Sequence, residues 1–284
     1  MSVCVCIASR GRPVECRKSI EALTKAAVLP DTHCALALDE DDPAVLDYGP
    51  LVRKFGVGIA AERDISLGAK YNRAASYARP GTTVYVLGVD DCHPCTPGWD
   101  RTFIEAADKF PDGVGVIYSG DRRDELFQLP EGCAVTKRWI EQVGFFCPPY
   151  FPFWWHDTWI DELARFTGRY VWANVDWEKH GPSEAQGHKT TRMREVSWWA
   201  RFFDATRQMR VDKAVEMINR LNYPPWYGAQ LRSELQLKAN LFWQRNALVR
   251  DHGANFEAQY GAETTADPGY DRIKAEATAM LKAL

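Results

Sequence analysis

Between Val3 and Tyr118 the chain repeats one pattern: a short continuous apolar run, a polar turn, then a stretch with helical periodicity. Val3-Cys4-Val5-Cys6-Ile7-Ala8 is the first such run, rich in β-branched residues and closed by Ser9-Arg10-Gly11-Arg12-Pro13. An unbroken apolar run of this length suits a strand buried on both faces, whereas a strand with one wet face would alternate. Pro13 opens a predicted helix to about Ala27, because the fixed φ of proline suits a first helical turn. The same reading predicts strands over Cys34 to Leu38, Val57 to Ala61, Thr83 to Val89 and Val114 to Tyr118, with a helix over Leu67 to Ala78. Strands that alternate with helices need crossover connections. The expected fold is therefore α/β, a mostly parallel sheet covered by helices on both faces, with ligands bound at the carboxyl ends of the strands.

A chain of 284 residues that is 46% apolar can bury a core of this size, which excludes a disordered chain. It holds no apolar run of about 18 residues, so no membrane-spanning helix is expected. The apolar start is too short and too uncharged in front for a secretory signal, and a cytoplasmic protein is the expectation. The eight cysteines are scattered, several of them inside apolar runs, which points to reduced thiols packed as small hydrophobes. Cys92-His93-Pro94-Cys95 has metal-like spacing, but a structural zinc site wants four ligands and only one such pair is present.

After about residue 190 the strand signal fades. Trp198, Phe202, Met209, Val215 and Ile218 recur at helical spacing, and Pro224-Pro225 separates one helix from the next. Two domains are expected, 1–188 and a helical extension 189–284. Residues 1–188 hold 20 Lys/Arg against 27 Asp/Glu (-7), residues 189–250 hold 12 against 5 (+7), and the tail holds 3 against 6 (-3). In the basic segment Arg192, Arg194, Arg201, Arg207, Arg210, Lys213 and Arg220 are interleaved with Trp198, Trp199, Phe202 and Phe203. That pattern fits amphipathic helices with solvated faces, and also basic side chains contacting phosphates.

The polar clusters gather where the strands end. Arg10 and Arg12 follow the first strand, Asp39 and Asp41 the second, Arg63, Lys70 and Asn72 surround the next helix, and Asp90-Asp91 close the fourth strand. Adjacent acids in such a place serve as a turn or helix cap, or as ligands of a hard divalent cation that neutralises a diphosphate.

Ala-Ser-Arg-Gly-Arg-Pro (8–13), Leu-Asp-Glu-Asp-Asp-Pro (38–43), Leu-Gly-Ala-Lys-Tyr-Asn (67–72), Leu-Gly-Val-Asp-Asp (87–91) and Thr-Pro-Gly-Trp-Asp (96–100) occur in that order. In order and spacing this set resembles the GT-A glycosyltransferases, and within them the family 2-like enzymes of bacteria and phages; the resemblance spans about residues 1–185. It implies a nucleotide-sugar-binding catalytic domain over 1–188. Ala8, Ser9, Arg10 and Arg12 with Asp39 would line the nucleoside pocket, Asp41 nearby, and Arg63, Lys70 and Asn72 would flank the ribose and diphosphate. Asp90-Asp91 matches the DxD-type element, which makes Asp91 the metal ligand for manganese or magnesium and Asp90 a ribose or metal contact. Cys92 stands where a third acid often occurs.

Further along, Val143-Gly144-Phe145-Phe146 and Trp154-Trp155-His156-Asp157 resemble the Gly-rich turn and the acidic acceptor motif of the same enzymes. An inverting transfer needs a base in reach of the acceptor hydroxyl, and Asp157 is the candidate; Asp157 equally suits an N-cap for a helix over Thr158 to Phe166. His180, or else His188, would complete the metal site. The aromatic residues Phe145, Phe146, Tyr150, Phe151, Phe153, Trp154, Trp155 and Trp159 fit either a stacking platform for sugars or a buried hinge.

The resemblance thus implies metal-dependent transfer of a sugar from a nucleotide diphosphate donor, UDP-sugar favoured, to an acceptor hydroxyl. The acceptor is either a hydroxymethylated base in phage DNA, reached through segment 189–250 in a host cytoplasm, or a surface glycan or small molecule. Two other readings share the fold. A sugar nucleotidyltransferase usually carries a Gly-rich loop after strand one, where this chain has a single glycine; a non-catalytic nucleic-acid-binding protein would keep the sheet and lose turnover.

Overall fold

The first strand is buried from Ser2 to Ile7, as its unbroken apolar run requires. A computed structural model describes residues 2–60, 66–120, 132–180, 195–221 and 268–284. In chain order its strands are β1 (Ser2–Ala8), β2 (His33–Ala37), β3 (Gly58–Ala60), β4 (Thr82–Gly88), β5 (Cys92–Pro94), β6 (Val116–Ser119), β7 (Gly132–Thr136), β8 (Tyr170–Trp172) and β9 (Trp177–Lys179). Its helices are α1 (Pro13–Ala26), α2 (Gly49–Phe55), α3 (Leu67–Ser76), α4 (Trp99–Ala107), α5 (Lys137–Val143), α6 (His156–Thr167), α7 (Val196–Ala205), α8 (Arg207–Arg220) and α9 (Pro268–Ala283). The expected elements up to β6 are all present, displaced by at most a few residues at their ends.

The main sheet runs β3-β2-β1-β4-β7-β6-β8. β1 lies parallel between β2 and β4, with Ile7 opposite both Leu36 and Gly88, so three strands end together. The departure from a parallel sheet is β7, which pairs antiparallel with both β4 and β6 and was not anticipated from the sequence. A short ribbon of β5 against β9 stands apart from the main sheet and carries Cys92 and His93.

On one face of the sheet, Val3, Val5, Ile7, Leu36, Val84 and Val86 form a core with Ile20 and Leu23 of α1 and Trp99 and Phe103 of α4. The Thr-Pro-Gly-Trp-Asp segment is explained by this packing. Trp99 Nε1 donates to the carbonyl of Leu23, and fully buried Asp100 accepts from the backbone of Val28 and Leu29 and from the Thr32 hydroxyl. These bonds satisfy a loop that would otherwise bury unpaired donors. Six of the eight cysteines are buried.

The chain packs as two compact units, Met1–Pro149 with Arg169–Ala185, and Tyr150–Gly168 with Gln186–Leu284. The segment 150–168, expected within the first domain, belongs to the second unit. There Phe151 meets Trp159, Trp199, Phe202 and Phe203 ring to ring, and Trp199 donates to the Tyr270 hydroxyl at 2.9 Å. Phe151, Trp155 and Trp159 are therefore core residues and offer no stacking platform; Phe146 packs in the first unit, edge-on to Tyr71.

The basic segment needs a similar correction. Arg210 is wholly buried, bonded to buried Glu162 at 2.5 Å, and its guanidinium lies 3.8 Å from the Phe203 ring centroid. It is not available to a phosphate. The core face of α8 is Arg210, Ala214, Met217 and Ile218, whereas Met209 and Val215 are only half-buried. Arg192, Arg194 and Pro224-Pro225 lie outside the described residues. Among the described residues no helix is long and apolar enough to cross a membrane.

Candidate functional site

The carboxyl ends of β1, β2 and β4 bring one set of polar residues together. After β1 the chain turns at Gly11, whose φ of 66° is a left-handed conformation that costs a side chain energy, and its N–H donates to Asp42 Oδ2 at 2.7 Å. This turn aims Arg10 and Arg12 to different neighbours. Arg10 Nη1 reaches Asp39 Oδ2 at 3.1 Å and Asp41 Oδ1 at 2.5 Å. Arg12 spans the next strand end, with Nη1 2.9 Å from Asp90 Oδ1 and Nη2 3.0 Å from Asp91 Oδ2.

Asp90 and Asp91 occupy the bend between Val89 and Cys92, which form an antiparallel bridge, so they make a tight turn and a strand-end acid pair at once. Asp90 is buried: Ser9 Oγ donates to its Oδ2 at 2.8 Å, and Ser19 Oγ donates to its carbonyl at 3.1 Å. Burial pushes the Asp90 carboxyl up to about 6, against the opposing pull of Arg12 and the Ser9 hydroxyl. Arg12 is held above the usual arginine range, its partial burial outweighed by Asp90 and Asp91.

From the other side, α3 delivers Lys70. The helix starts where Ser66 Oγ caps Ala69 N–H, and this places Lys70 Nζ 2.5 Å from Asp39 Oδ2. Burial lowers the Lys70 amine, with Asp39 opposing the shift. Asp39 is 2% exposed; Arg10 and Lys70 share its Oδ2, while its buried Oδ1 has no hydrogen-bond partner. An acceptor kept dry and unpaired costs free energy unless a donor arrives.

The other candidates take different places. Ala8 ends β1 beside this cluster. Asn72 spends its amide on the first unit's own backbone, accepting from Phe146 and Cys147 N–H and donating to the Cys147 carbonyl at 2.7 Å. His180 follows β9, and its N–H donates to the Asp91 carbonyl at 2.8 Å, which makes the two residues neighbours. Its ring Nε2, however, faces the Glu15 carbonyl at 3.1 Å and the Ser19 hydroxyl at 3.4 Å. Arg63 and His188 lie outside the described residues.

Asp157 sits in the first turn of α6, in the second unit, rather than capping it from outside, because α6 begins at His156. Its Oδ1 accepts from Thr158 N–H at 2.7 Å. Trp155, just before the helix, has φ 70°, one of two non-glycine residues among those described with a positive φ.

Sequence reasoning missed Tyr48, Asp42 and Ser19. The Tyr48 hydroxyl lies 2.8 Å from Ser9 Oγ and accepts from Arg12 N–H at 2.9 Å, so it fixes the turn that aims both arginines. Its only sequence signal was an aromatic in a polar loop, in a 3-10 turn over Val45–Tyr48.

A divalent cation at this site would need ligands beyond those of the protein. Among the described residues no group of three or more His, Cys, Asp or Glu side chains could hold one unaided. A hard cation that takes further ligands from a substrate diphosphate and water needs only one or two carboxylates, and Asp91 with Asp90 meets that requirement. The residues fit a cation completed by substrate.

The fold is similar to that of solved structures. S. aureus TarS 1-349 matches at TM-score 0.52 and 11% identity, over 84% of this chain and 71% of that one. Mannosyltransferase PcManGT from Pyrobaculum calidifontis matches at TM-score 0.53 and 14% identity, over 98% of this chain and 80% of that one. The chain has the GT-A fold. Within the GT-A fold, Asp90-Asp91 stands at the end of the fourth strand and the Arg10–Asp39–Lys70 cluster at the ends of the first two. No protein-family model matches the chain, and no curated protein matches it.

Proposed function

We propose that the protein is a metal-dependent glycosyltransferase that moves a sugar from a nucleotide diphosphate donor, UDP-sugar favoured, to an acceptor hydroxyl. The observation that carries this reading is the buried, unpartnered Oδ1 of Asp39 in a cluster that also holds Arg10, Arg12, Lys70 and the Asp90–Asp91 pair. Asp39 Oδ1 calls for a donor. Uracil and guanine present a ring N–H beside a carbonyl, whereas the matching ring nitrogens of cytosine and adenine are acceptors. The carboxylate thus favours UDP or GDP over CDP or ADP. PcManGT is described with GDP-Man and Mn2+, which supports the same class of donor and metal here.

In this reading Ala8, Ser9, Arg10 and Asp39 line the nucleoside side, with Asp41 orienting Arg10. Arg12 and Lys70 face the diphosphate, a role that Arg63 would share, Asn72 holds the adjoining turn, and Asp91 is the principal metal ligand with Asp90 and His180 beside it. Bound there, manganese or magnesium would neutralise charge on the leaving diphosphate. Asp157 is the base for an inverting transfer.

For the acceptor, the DNA reading rests on the basic segment. Over 195–221 the balance is 5 Lys/Arg against 4 Asp/Glu, so of the +7 in residues 189–250 only +1 falls on described residues and +6 on the rest. Binding to hydroxymethylated DNA that falls steeply with salt supports that acceptor; salt-insensitive absence of binding favours a glycan or small-molecule hydroxyl.

Donor choice is tested by thermal shift with UDP, GDP, CDP and ADP in the presence of manganese. The wild type is expected to be stabilised by UDP or GDP only, and Asp39→Asn to lose that preference. Equal stabilisation by all four overturns the assignment of Asp39.

A further inference from the structure

Both acids of the strand-end pair are gripped by one side chain. Arg12 gives one nitrogen to Asp90 and the other to Asp91, at 2.9 and 3.0 Å, and only 18% of its side chain is exposed. The opposite oxygen of Asp90 is taken by Ser9, so Asp90 has no oxygen without a protein donor. The fork is not fully satisfied: Arg12 Nε is buried without a partner.

We propose that Arg12 is a gate on the cation site, holding Asp90 and Asp91 until the diphosphate of the donor draws its guanidinium away. The inference rests on the metal-dependent reading above. Its basis is charge. Two carboxylates and one guanidinium leave the site with one net negative charge. A divalent cation entering alone would reverse that sign in a poorly hydrated place, next to a guanidinium bound to the same carboxylates. A donor brings two phosphate charges, and with donor and cation together the site returns to one net negative charge.

Phosphate also suits the guanidinium. Its planar donors match phosphate oxygens two at a time, and the unpartnered Nε can join one of its Nη groups in such a pair. Ser9 and Ser19 keep Asp90 in place meanwhile, because their bonds to it do not involve Arg12. The consequence is an order of assembly in which the free protein binds the cation poorly and the nucleotide makes the cation site. Arg12 is a positioning residue for the cation in this account, beyond any contact with the donor.

Manganese binding to the full chain, read from the paramagnetic resonance signal of the free ion, tests this with and without UDP. The wild type is expected to bind Mn2+ weakly alone and far more tightly with UDP. Arg12→Gln, which removes the charge and keeps an amide donor, is expected to tighten Mn2+ binding without UDP by about tenfold or more, as loss of a nearby like charge predicts. Arg12→Lys keeps the charge and is expected to follow the wild type. Equal Mn2+ affinity of wild type and Arg12→Gln without UDP overturns the gate. Should glutamine prevent folding, wild-type binding that is as tight without UDP as with it overturns it instead. Absence of Mn2+ binding in every form, UDP present, overturns the metal-dependent reading itself and the gate with it.

Discussion

The Ser9 hydroxyl donates to Asp90 Oδ2 at 2.8 Å, tying the end of β1 to the end of β4 across 81 residues of sequence. The bond is buried and its acceptor is a carboxylate, which places it among the stronger hydrogen bonds of a folded chain. Ser9→Ala is expected to cost about 1.5–3 kcal/mol in denaturant unfolding and to weaken UDP binding at the same time. A loss of stability with UDP affinity intact would separate Ser9 from the site.

The start of α3 is packed too closely for any side chain at Gly68. A Cβ there would lie 2.0 Å from the carbonyl oxygen of Pro148, a backbone atom that cannot swing aside. Gly68→Ala is expected to destabilise the chain by about 1–3 kcal/mol through overpacking, measured as a fall in the denaturant midpoint.

Arg210 and Glu162 are 0% and 1% exposed and lie 2.5 Å apart, so their charges meet out of reach of bulk water. Burial lowers the Arg210 guanidinium, with Glu162 opposing. Arg210→Met alone is expected to cost about 3–5 kcal/mol, because it takes a close positive charge away from a buried carboxylate. Combining it with Glu162→Leu is expected to recover most of that loss in thermal unfolding. Additive losses would show that the two side chains are not coupled, against this prediction.

Burial pushes the Tyr85 phenol from 10.0 up to about 12, and the Tyr48 phenol is raised by the same cause. Above pH 10.0 the folded chain therefore keeps protons that an unfolded chain releases. Stability from these two groups is full below the unfolded value and is lost as pH rises through the folded one. Unfolding free energy is expected to fall between about pH 10 and pH 12, with the ultraviolet band of phenolate appearing together with unfolding.

What the sequence disclosed follows from which signals are local. β1, α1 and the end of β4 were legible because an unbroken apolar run, a proline at a helix start and an acid pair each speak within a few residues. β7 was not, since the five residues Gly132–Thr136 carry no periodicity that distinguishes a strand, and their antiparallel place between β4 and β6 is a tertiary choice. Arg10, Asp39, Lys70 and Asp90-Asp91 were nominated by position and do converge, whereas Asn72 is spent on the turn at 146–147. Tyr48 escaped because nothing local ties a loop aromatic to Ser9 and Arg12. Arg210 misled for the opposite reason: an arginine at helical spacing reads as solvated, and the charge partner that favours its burial, Glu162, stands 48 residues away.

The central claim is that Asp91 and its cluster serve transfer of a sugar from a nucleotide diphosphate donor with a divalent cation. The direct measurement is release of nucleoside diphosphate from a panel of nucleotide sugars with manganese, for the wild type and Asp91→Ala. Release is expected from a UDP- or GDP-sugar, to stop when manganese is chelated and to fall by at least about a hundredfold in Asp91→Ala, the scale of a lost electrostatic contact in the transition state. No release from any donor, or release that Asp91→Ala and chelation leave unchanged, would contradict it.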